Sequence, residues 1–359
     1  MNKTQWKVYS TTEDAWKAML EACKNAKKSI DLEQFLFVAD DVGKQFIEVC
    51  AAKAQEGVRV RFLWDAAGSF TFFGSSLAND LKKKGIELAF FYTLVPRLLD
   101  LHDYRFWFFR NHRRSLIIDD EKAFTGSICL SDKMKEWRDT HTELSGDIVI
   151  EIRKAFEAMW NRAHGIKSNW SGRELISSDG FNYVTNNPSP RRRFLYYRLI
   201  DAIRNGQKYI YITTPYFVPT QRLLRVILLA AHRGADVRLI LPKGSDHPLV
   251  DLCARSFFSQ LLKAGVRIFL YNGEMIHNKT IVIDDEWGTA GSLNLDNISL
   301  LYNYEANIIT TDHDCIQEFK NHFAHDQNQS TELLYSEWKK RIFLKKVLER
   351  LSRLISKFL

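Results

Sequence analysis

Two short stretches of this chain repeat the same reactive residues at the same spacing. His112-Arg113-Arg114 leads to Asp119, Gly126 and Ser127, and His277-Asn278-Lys279 leads to Asp284, Gly291, Ser292 and Asn294. In both, the Asp comes seven residues after the His, and the Gly-Ser pair begins seven residues after the Asp. Side chains alternate along a strand, so a His and a cation two residues apart share a face. Such a pair suits a phosphate, with the cation on the charged oxygens and the imidazole free to attack or to move a proton. One match would be a weak signal. Two matches with the same follow-up mark a duplicated half-site.

A phosphodiester resists attack because its oxygens repel nucleophiles and its alkoxide leaves poorly. Two histidines and two cations supply what is needed without a metal or cofactor. One imidazole attacks phosphorus to form a phosphohistidine. The other, protonated, gives its proton to the leaving oxygen and then takes one from the incoming hydroxyl. Arg114 and Lys279 are the cations of this scheme. Each imidazole also needs an acceptor at its second ring nitrogen. Asp139, 27 residues after His112, and Glu305, 28 after His277, are the candidates. Ser127 and Ser292, each behind a Gly that allows close backbone approach, are expected on the phosphate together with Asn294. Asp119 and Asp284 stand at an odd strand spacing from their histidines, which points them away from the chemistry and toward tying the strand end to backbone donors. His102, His141, His164, His232 and His247 are isolated and read as structural.

The elements around these motifs are duplicated too. Gly57 to Leu63 reads like Gly234 to Ile240, and Leu81 to Leu88 like Leu261 to Ile268. The offset is 180 between Gly85 and Gly265 but 165 between the histidines, so the first copy carries about fifteen extra residues, roughly 94–111. That insertion is crowded with Tyr104, Phe106, Trp107, Phe108 and Phe109. It and the stretch 70–73 read as core or as an apolar groove. Strand-like runs at 29–38, 58–64, 86–92 and 115–118 alternate with helical patterns, and 209–213, 237–241, 266–271 and 280–283 repeat them. The pattern predicts two pseudo-symmetric α/β lobes sharing one site at their interface. The expected boundaries are 1–164 for the first lobe, 165–193 for a Ser-, Asn- and Pro-rich linker, 194–332 for the second lobe and 333–359 for a basic amphipathic helix.

Five scattered cysteines without a C-x-x-C pair point to neither a disulfide framework nor a zinc site. No apolar run approaches the ~20 residues of a spanning helix. Of the net charge of +8, residues 338–359 hold eight cations against Glu349 alone. Trp338, Ile342, Val347, Leu348, Leu351, Leu354, Ile355 and Phe358 recur there at helical spacing. Such a helix can lie in the interface of an anionic bilayer, with Trp338, Lys339, Lys340, Arg341, Lys345 and Lys346 at the contact. The ordinary alternative is a terminal helix that docks its stripe on the core.

The motifs resemble the phospholipase D superfamily, and most closely its bacterial cardiolipin synthase group. The resemblance rests on Thr214-Pro215-Tyr216-Phe217-Val218-Pro219, Gly244-Ser245-Asp246-His247-Pro248-Leu249, His277-Asn278-Lys279-Thr280 and Gly291-Ser292-Leu293-Asn294-Leu295-Asp296, with Glu33-Gln34-Phe35 and Trp137-Arg138-Asp139-Thr140 in the first half. It implies transfer of a phosphatidyl group from one phosphatidylglycerol to the primary hydroxyl of another, with glycerol released. It also implies that His112 is the nucleophile and His277 the acid and base. The chain departs from the family pattern at Arg114, where Lys is usual, and at Cys129, where the second copy has Asn294. The N-terminal membrane helices of many relatives are missing from this sequence, and the basic tail and aromatic insertion are expected to replace them. The implied setting is the cytoplasmic face of a bacterial inner membrane. A hydrolase of phospholipid or nucleic acid, or an inert lipid binder with a disabled first half-site, are the competing readings. The basic charge lies in an amphipathic tail rather than among the core segments, which favours lipid over nucleic acid.

Overall fold

A computed structural model describes residues 3–91, 109–166 and 179–359. Most of the aromatic insertion and part of the expected linker therefore lie outside the described residues. The first half forms β1 (Gln5–Thr11), β2 (Ser29–Gln34), β3 (Arg59–Asp65), β4 (Ile86–Phe91), β5 (Ser115–Ile118), β6 (Lys122–Gly126) and β7 (Arg138–Ser145). These make one sheet in the order β1-β7-β6-β5-β2-β3-β4. The second half forms β8 (Phe181–Asn186), β9 (Tyr209–Thr213), β10 (Phe217–Val218), β11 (Asp236–Pro242), β12 (Arg267–Tyr271), β13 (Thr280–Ile283), β14 (Trp287–Gly291), β15 (Leu295–Asp296), β16 (Glu305–Thr310) and β17 (Ser330–Glu332). β10 and β15 pair with each other, and the rest form a second sheet in the order β17-β12-β11-β9-β13-β14-β16-β8.

Read from β8, the second sheet repeats the strand order of the first and adds β17 at its far edge. In each, three parallel strands (β2-β3-β4 and β9-β11-β12) are followed by antiparallel ones. Parallel pairing demands crossover helices, which cover the sheet faces and bury the central strands on both sides, in the first lobe with Asp31 paired to Arg61 among the apolar residues. The crossovers are Asp41–Gln55 and Ser76–Lys83 in the first lobe, and Gln221–His232 and Pro248–Lys263 in the second. Asp40 and Thr220 cap the first crossover helix of each lobe through side-chain oxygens on the amides of Gly43 and Leu223.

Each lobe buries a core of its own, and a third apolar cluster crosses between them. Leu63, Phe91, Ile117 and Phe156 of the first lobe join Tyr183, Val282, Ile308 and Phe319 of the second in that cluster. The lobes are therefore packed as one body through apolar contact, which is what a site assembled from both requires.

Two expectations need correction here. Residues 181–186, placed in the linker by their Asn- and Ser-rich surroundings, form β8 and pair along their length with β16, so this stretch is the counterpart of β1. The C-terminal stripe is also not one helix. A short helix Tyr335–Trp338 ends before a second begins at Phe343–Leu354, which removes Trp338 and Arg341 from the outward face. Trp338 is buried against Phe258 and donates to Ser259 Oγ at 3.1 Å, while Arg341 pairs with Glu349 at 2.8 Å. Trp338 anchors the tail to the body of the protein, and Arg341 ties the turn before the second helix to that helix while also reaching Ser259 Oγ at 3.4 Å. Among the described residues, no helix is long and apolar enough to cross a membrane. Phe72 is core, Phe70 is exposed and Phe73 packs edge-on against Phe90.

The hairpins after the two His motifs turn through paired left-handed residues, Asp119 and Asp120 in one and Asp284 and Asp285 in the other, all with φ between 56 and 60°. Asp tolerates that region better than most residues. Asp119 then accepts from the amides of Lys27, Lys28 and Ser29, and Asp284 from those of Gln207, Lys208 and Tyr209. Each carboxylate thus fastens the hairpin to the start of the neighbouring central strand. Asp119→Ala should cost roughly 2 kcal/mol of stability, read as a lower denaturation midpoint, while the folded protein keeps its turnover within about two-fold. Loss of turnover at unchanged stability would show Asp119 acting in the chemistry instead.

Candidate active site

The His motifs sit just ahead of β5 and β13, at the carboxyl ends of the parallel strands beside them. This is the usual position of a site in an open α/β sheet. Backbone contacts between lobes place them. His112 N donates to Tyr304 O at 2.9 Å and Tyr304 N to Arg110 O at 2.8 Å, while His277 N donates to Arg138 O at 2.8 Å and Arg138 N to Met275 O at 2.9 Å. Each His segment is thereby bridged to the residue just ahead of the other lobe's carboxylate.

The carboxylates consequently serve across the interface. His112 Nδ1 lies 2.9 Å from Glu305 Oε1, and His277 Nδ1 lies 2.8 Å from Asp139 Oδ2. Sequence distance had placed each acid downstream of its own lobe's histidine without showing which imidazole it meets. All four side chains are buried. With Nδ1 turned to a carboxylate, each ring presents Nε2 to the cleft. There Arg114 Nη2 stands 3.0 Å from His112 Nε2, and Lys279 Nζ 3.2 Å from His277 Nε2. Each cation is also tied to the carbonyl of its own histidine.

Ser127 and Ser292 are placed differently from expectation. Their hydroxyls donate to Asp139 and Glu305, and both are fully buried. Their hydroxyls therefore hold the carboxylates that orient the imidazoles. Gly126 and Gly291 make that contact possible. A Cβ at either would come within 2.5 or 2.4 Å of the carbonyl of Thr140 or Ala306 on the neighbouring strand. Asn294 keeps a buried Oδ1 without a hydrogen-bond partner, which leaves it available within the site. At the matching position, Cys129 Sγ accepts from Arg114 Nε at 3.1 Å. The Arg-for-Lys and Cys-for-Asn departures therefore meet in one contact, and the sulfur helps hold the longer guanidinium against His112.

Outer contacts that spacing did not reveal complete the frame. Phe35 packs edge-on against the His112 ring, while Trp137 and Tyr216 pack on that of His277. Tyr216 Oη donates to Asp246 at 2.6 Å. Asp326, on helix His313–Asn328, pairs with Arg138 at 2.6 Å beneath the second half-site. The motif stretches signalled Phe35, Tyr216 and Asp246 as present, but nothing along the chain linked Asp326 to Arg138.

Burial holds both imidazoles toward their neutral forms. It depresses His112 well below its ordinary value, helped by Arg114 and Lys279, and brings His277 down to about 4, with Lys279 adding repulsion. Each histidine is depressed by the cation of the other lobe as well as its own, so the two half-sites share one electrostatic environment. Burial also raises Glu305 to about 8. At Asp139 burial acts upward, but the His277 and Lys279 partners outweigh it and the net shift is down. Lys279 is lowered by burial to about 7. Among the described residues, no group of three or more His, Cys, Asp or Glu is placed to hold a metal.

Two mirrored α/β lobes with paired His-cation motifs, each imidazole held by the opposite lobe's acid, define the phospholipase D class of fold and site. The family model described as cardiolipin synthase, PLD-like domain matches residues 19–160 and 199–327, and the chain belongs to that family. It is an enzyme of the phosphatidyltransferase type. Cardiolipin synthase 1 of Bacillus anthracis is 30% identical over 378 residues, covering 100% of this chain and 73% of that protein. Cardiolipin synthase 2 of the same organism is 31% identical over 371 residues, covering 99% and 71%. In fold, the chain is similar to the phosphatidylserine synthase of Haemophilus influenzae Rd KW20, with a TM-score of 0.77 at 12% identity over 99% of this chain and 95% of that one.

The lowered Lys279 has a measurable consequence. Its charge is present below about pH 7 and lost as pH rises through that value, so kcat/KM for an anionic diester should fall on the alkaline side. Lys279→Arg keeps the charge throughout and should move that limb upward by more than about one pH unit. A limb that stays in place in the variant would show that Lys279 does not set it.

Proposed function

We propose that this enzyme transfers a phosphatidyl group from one phosphatidylglycerol to the primary hydroxyl of a second, through a phosphohistidine, making cardiolipin and releasing glycerol. The crossed His112-Glu305 and His277-Asp139 pairs, each with a cation at Nε2, carry the reading. The diester phosphate binds between Arg114 and Lys279, with Asn294 as a further contact. His112 Nε2 attacks phosphorus as its Nδ1 proton is held by Glu305. The bond to the glycerol oxygen breaks, and His277 gives that oxygen its proton. The diester's negative charge offsets the cation repulsion on His277, and Asp139 holds the imidazolium, so the acid form exists in the complex. His277 then takes the proton of the second lipid's hydroxyl as it attacks the phosphohistidine. The phosphorus-nitrogen bond breaks and His112 is restored. Two inversions leave the configuration at phosphorus retained.

The assignment of nucleophile and acid follows the family resemblance, because the half-sites are pseudo-symmetric copies of each other. The first has a guanidinium at Arg114 and the second an amine at Lys279. The setting that fits the lipid substrate is the cytoplasmic face of a bacterial inner membrane, with the enzyme bound peripherally and without nucleic acid.

Purified protein incubated with phosphatidylglycerol vesicles should yield cardiolipin and glycerol in equal amounts by mass spectrometry. His277→Ala should lower that rate by roughly 10²–10⁴-fold or more. Phosphatidic acid as the main product would make the enzyme a hydrolase. Lipid bound without turnover, in wild type and variant alike, would make it an inert lipid binder. Trapping with radiolabelled lipid should mark the peptide containing His112, whereas label on the His277 peptide would exchange the two roles.

A further inference from the structure

The C-terminal helix Phe343–Leu354 is mounted with its apolar edge outward. It packs on helix Pro248–Lys263 through the side that carries Glu349 and Ser352, which are only 3% and 5% exposed. Phe343, Leu344, Leu351 and Leu354 are 79%, 63%, 54% and 76% exposed. An amphipathic helix on a soluble protein normally does the reverse. The orientation is locked, because Arg341 pairs with Glu349 and the buried Trp338 holds the chain just before the helix.

Between the two helices lies a cavity of about 580 Å³, within the roughly 300–1,000 Å³ range of small-molecule sites. Lys263, Lys339, Arg341, Lys346, Arg350 and Arg353 line it, and Glu349 is the one acid among its described lining. Glu349 is already spent on Arg341. Among the described residues, none of the other five cations is ion-paired. Like charges gathered around one cavity repel, and an anion seated there relieves that repulsion.

We propose that this cavity is a second, non-catalytic site that takes the phosphate headgroup of an anionic phospholipid while the apolar edge of the helix enters the membrane interface. The proposal rests on the membrane reading above and extends it. Two features point to lipid together, a cation-lined cavity for the headgroup and a row of apolar side chains beside it for the acyl region. Its position on helix Pro248–Lys263 joins membrane contact directly to the second lobe.

The test uses full-length protein carrying His277→Ala, so that no turnover consumes the lipid, and measures flotation with phosphatidylcholine vesicles with or without phosphatidylglycerol. Removing three cavity cations (Lys263→Gln, Lys339→Gln, Arg350→Gln) should weaken binding to the anionic vesicles by about 10²-fold, on the scale of one cation per factor of about five, and leave binding to neutral vesicles unchanged. Removing three tail cations outside the cavity (Lys340→Gln, Lys345→Gln, Lys357→Gln) should cost about ten-fold or less. Phe343→Ser with Leu354→Ser should weaken both kinds of binding. Charge-conserving changes (Lys263→Arg, Lys339→Arg, Arg350→Lys) should retain binding, which separates the cavity's charge from any fault in folding.

Equal losses from the two charge triplets would overturn the cavity and leave a diffuse basic surface. Equal binding to neutral and anionic vesicles would overturn it while sparing the membrane reading, and no vesicle binding at all would overturn both. Inorganic phosphate binding in calorimetry, with vesicle binding insensitive to the cavity triplet, would assign the cavity to free phosphate. Self-association in light scattering that Phe343→Ser with Leu354→Ser abolishes, with flotation unaltered, would give the apolar edge to a second copy. Failure to find cardiolipin in the product assay would remove the catalytic reading without touching any of these outcomes.

Discussion

Everything at the centre of this protein depends on an exchange between its lobes. Each catalytic-type imidazole sits on one lobe and the carboxylate that orients it sits on the other. The exchange is enforced by main-chain hydrogen bonds that Tyr304 and Arg138 make to the two histidines and to Arg110 and Met275 just before them. Backbone bridges of this kind are set by geometry and not by side-chain choice. A small rotation of one lobe would break both pairs together. The apolar cluster shared by the lobes is therefore part of the site's construction, since it resists that rotation.

The site concentrates charge where water is excluded. Arg114, Lys279, Asp139 and Glu305 are all buried, and breaking one buried ionic pairing typically costs about 3–5 kcal/mol. Such an arrangement is a poor way to gain stability. It is a good way to hold a phosphodiester, whose charge completes an incomplete set and whose reaction needs fixed dipoles and no mobile solvent. The same burial explains why the imidazoles lean neutral and why Lys279 sits near the pH at which it loses its proton. Ser127 and Ser292 belong to this frame, spending their hydroxyls on the carboxylates. The two half-sites differ chiefly in one contact, the Arg114 guanidinium against Cys129, where the other half has Lys279 and Asn294.

A second constraint governs the C-terminus. Its helix is bound to the body through Trp338 and through packing on helix Pro248–Lys263, is tied to the preceding turn by the Arg341-Glu349 pair, and leaves a hydrophobic edge exposed. The sequence showed amphipathicity and a run of cations, from which either a docked or a membrane-facing stripe could follow. The break between Trp338 and Phe343 decided which residues anchor and which remain outside.

By itself, the sequence determined the two-lobe α/β architecture, because hydrophobic periodicity and the duplicated Gly, His and Asp spacings are properties of neighbouring residues. It also singled out the two histidines, their cations and the two acids as candidates, since those residue types are what phosphoryl transfer requires. Tertiary structure alone decided which acid serves which histidine. Residues 193 and 138 positions apart meet across an interface, and no local spacing encodes that meeting. The serine-carboxylate bonds were invisible for the same reason, since a Gly-Ser pair shows nothing of the carboxylate 12 or 13 residues further on that its hydroxyl meets. β8 was hidden in polar surroundings because an edge strand acquires its identity from the partner it pairs with. The Arg138-Asp326 pair joins a strand of one lobe to a helix of the other, a contact created only when the two lobes close on each other.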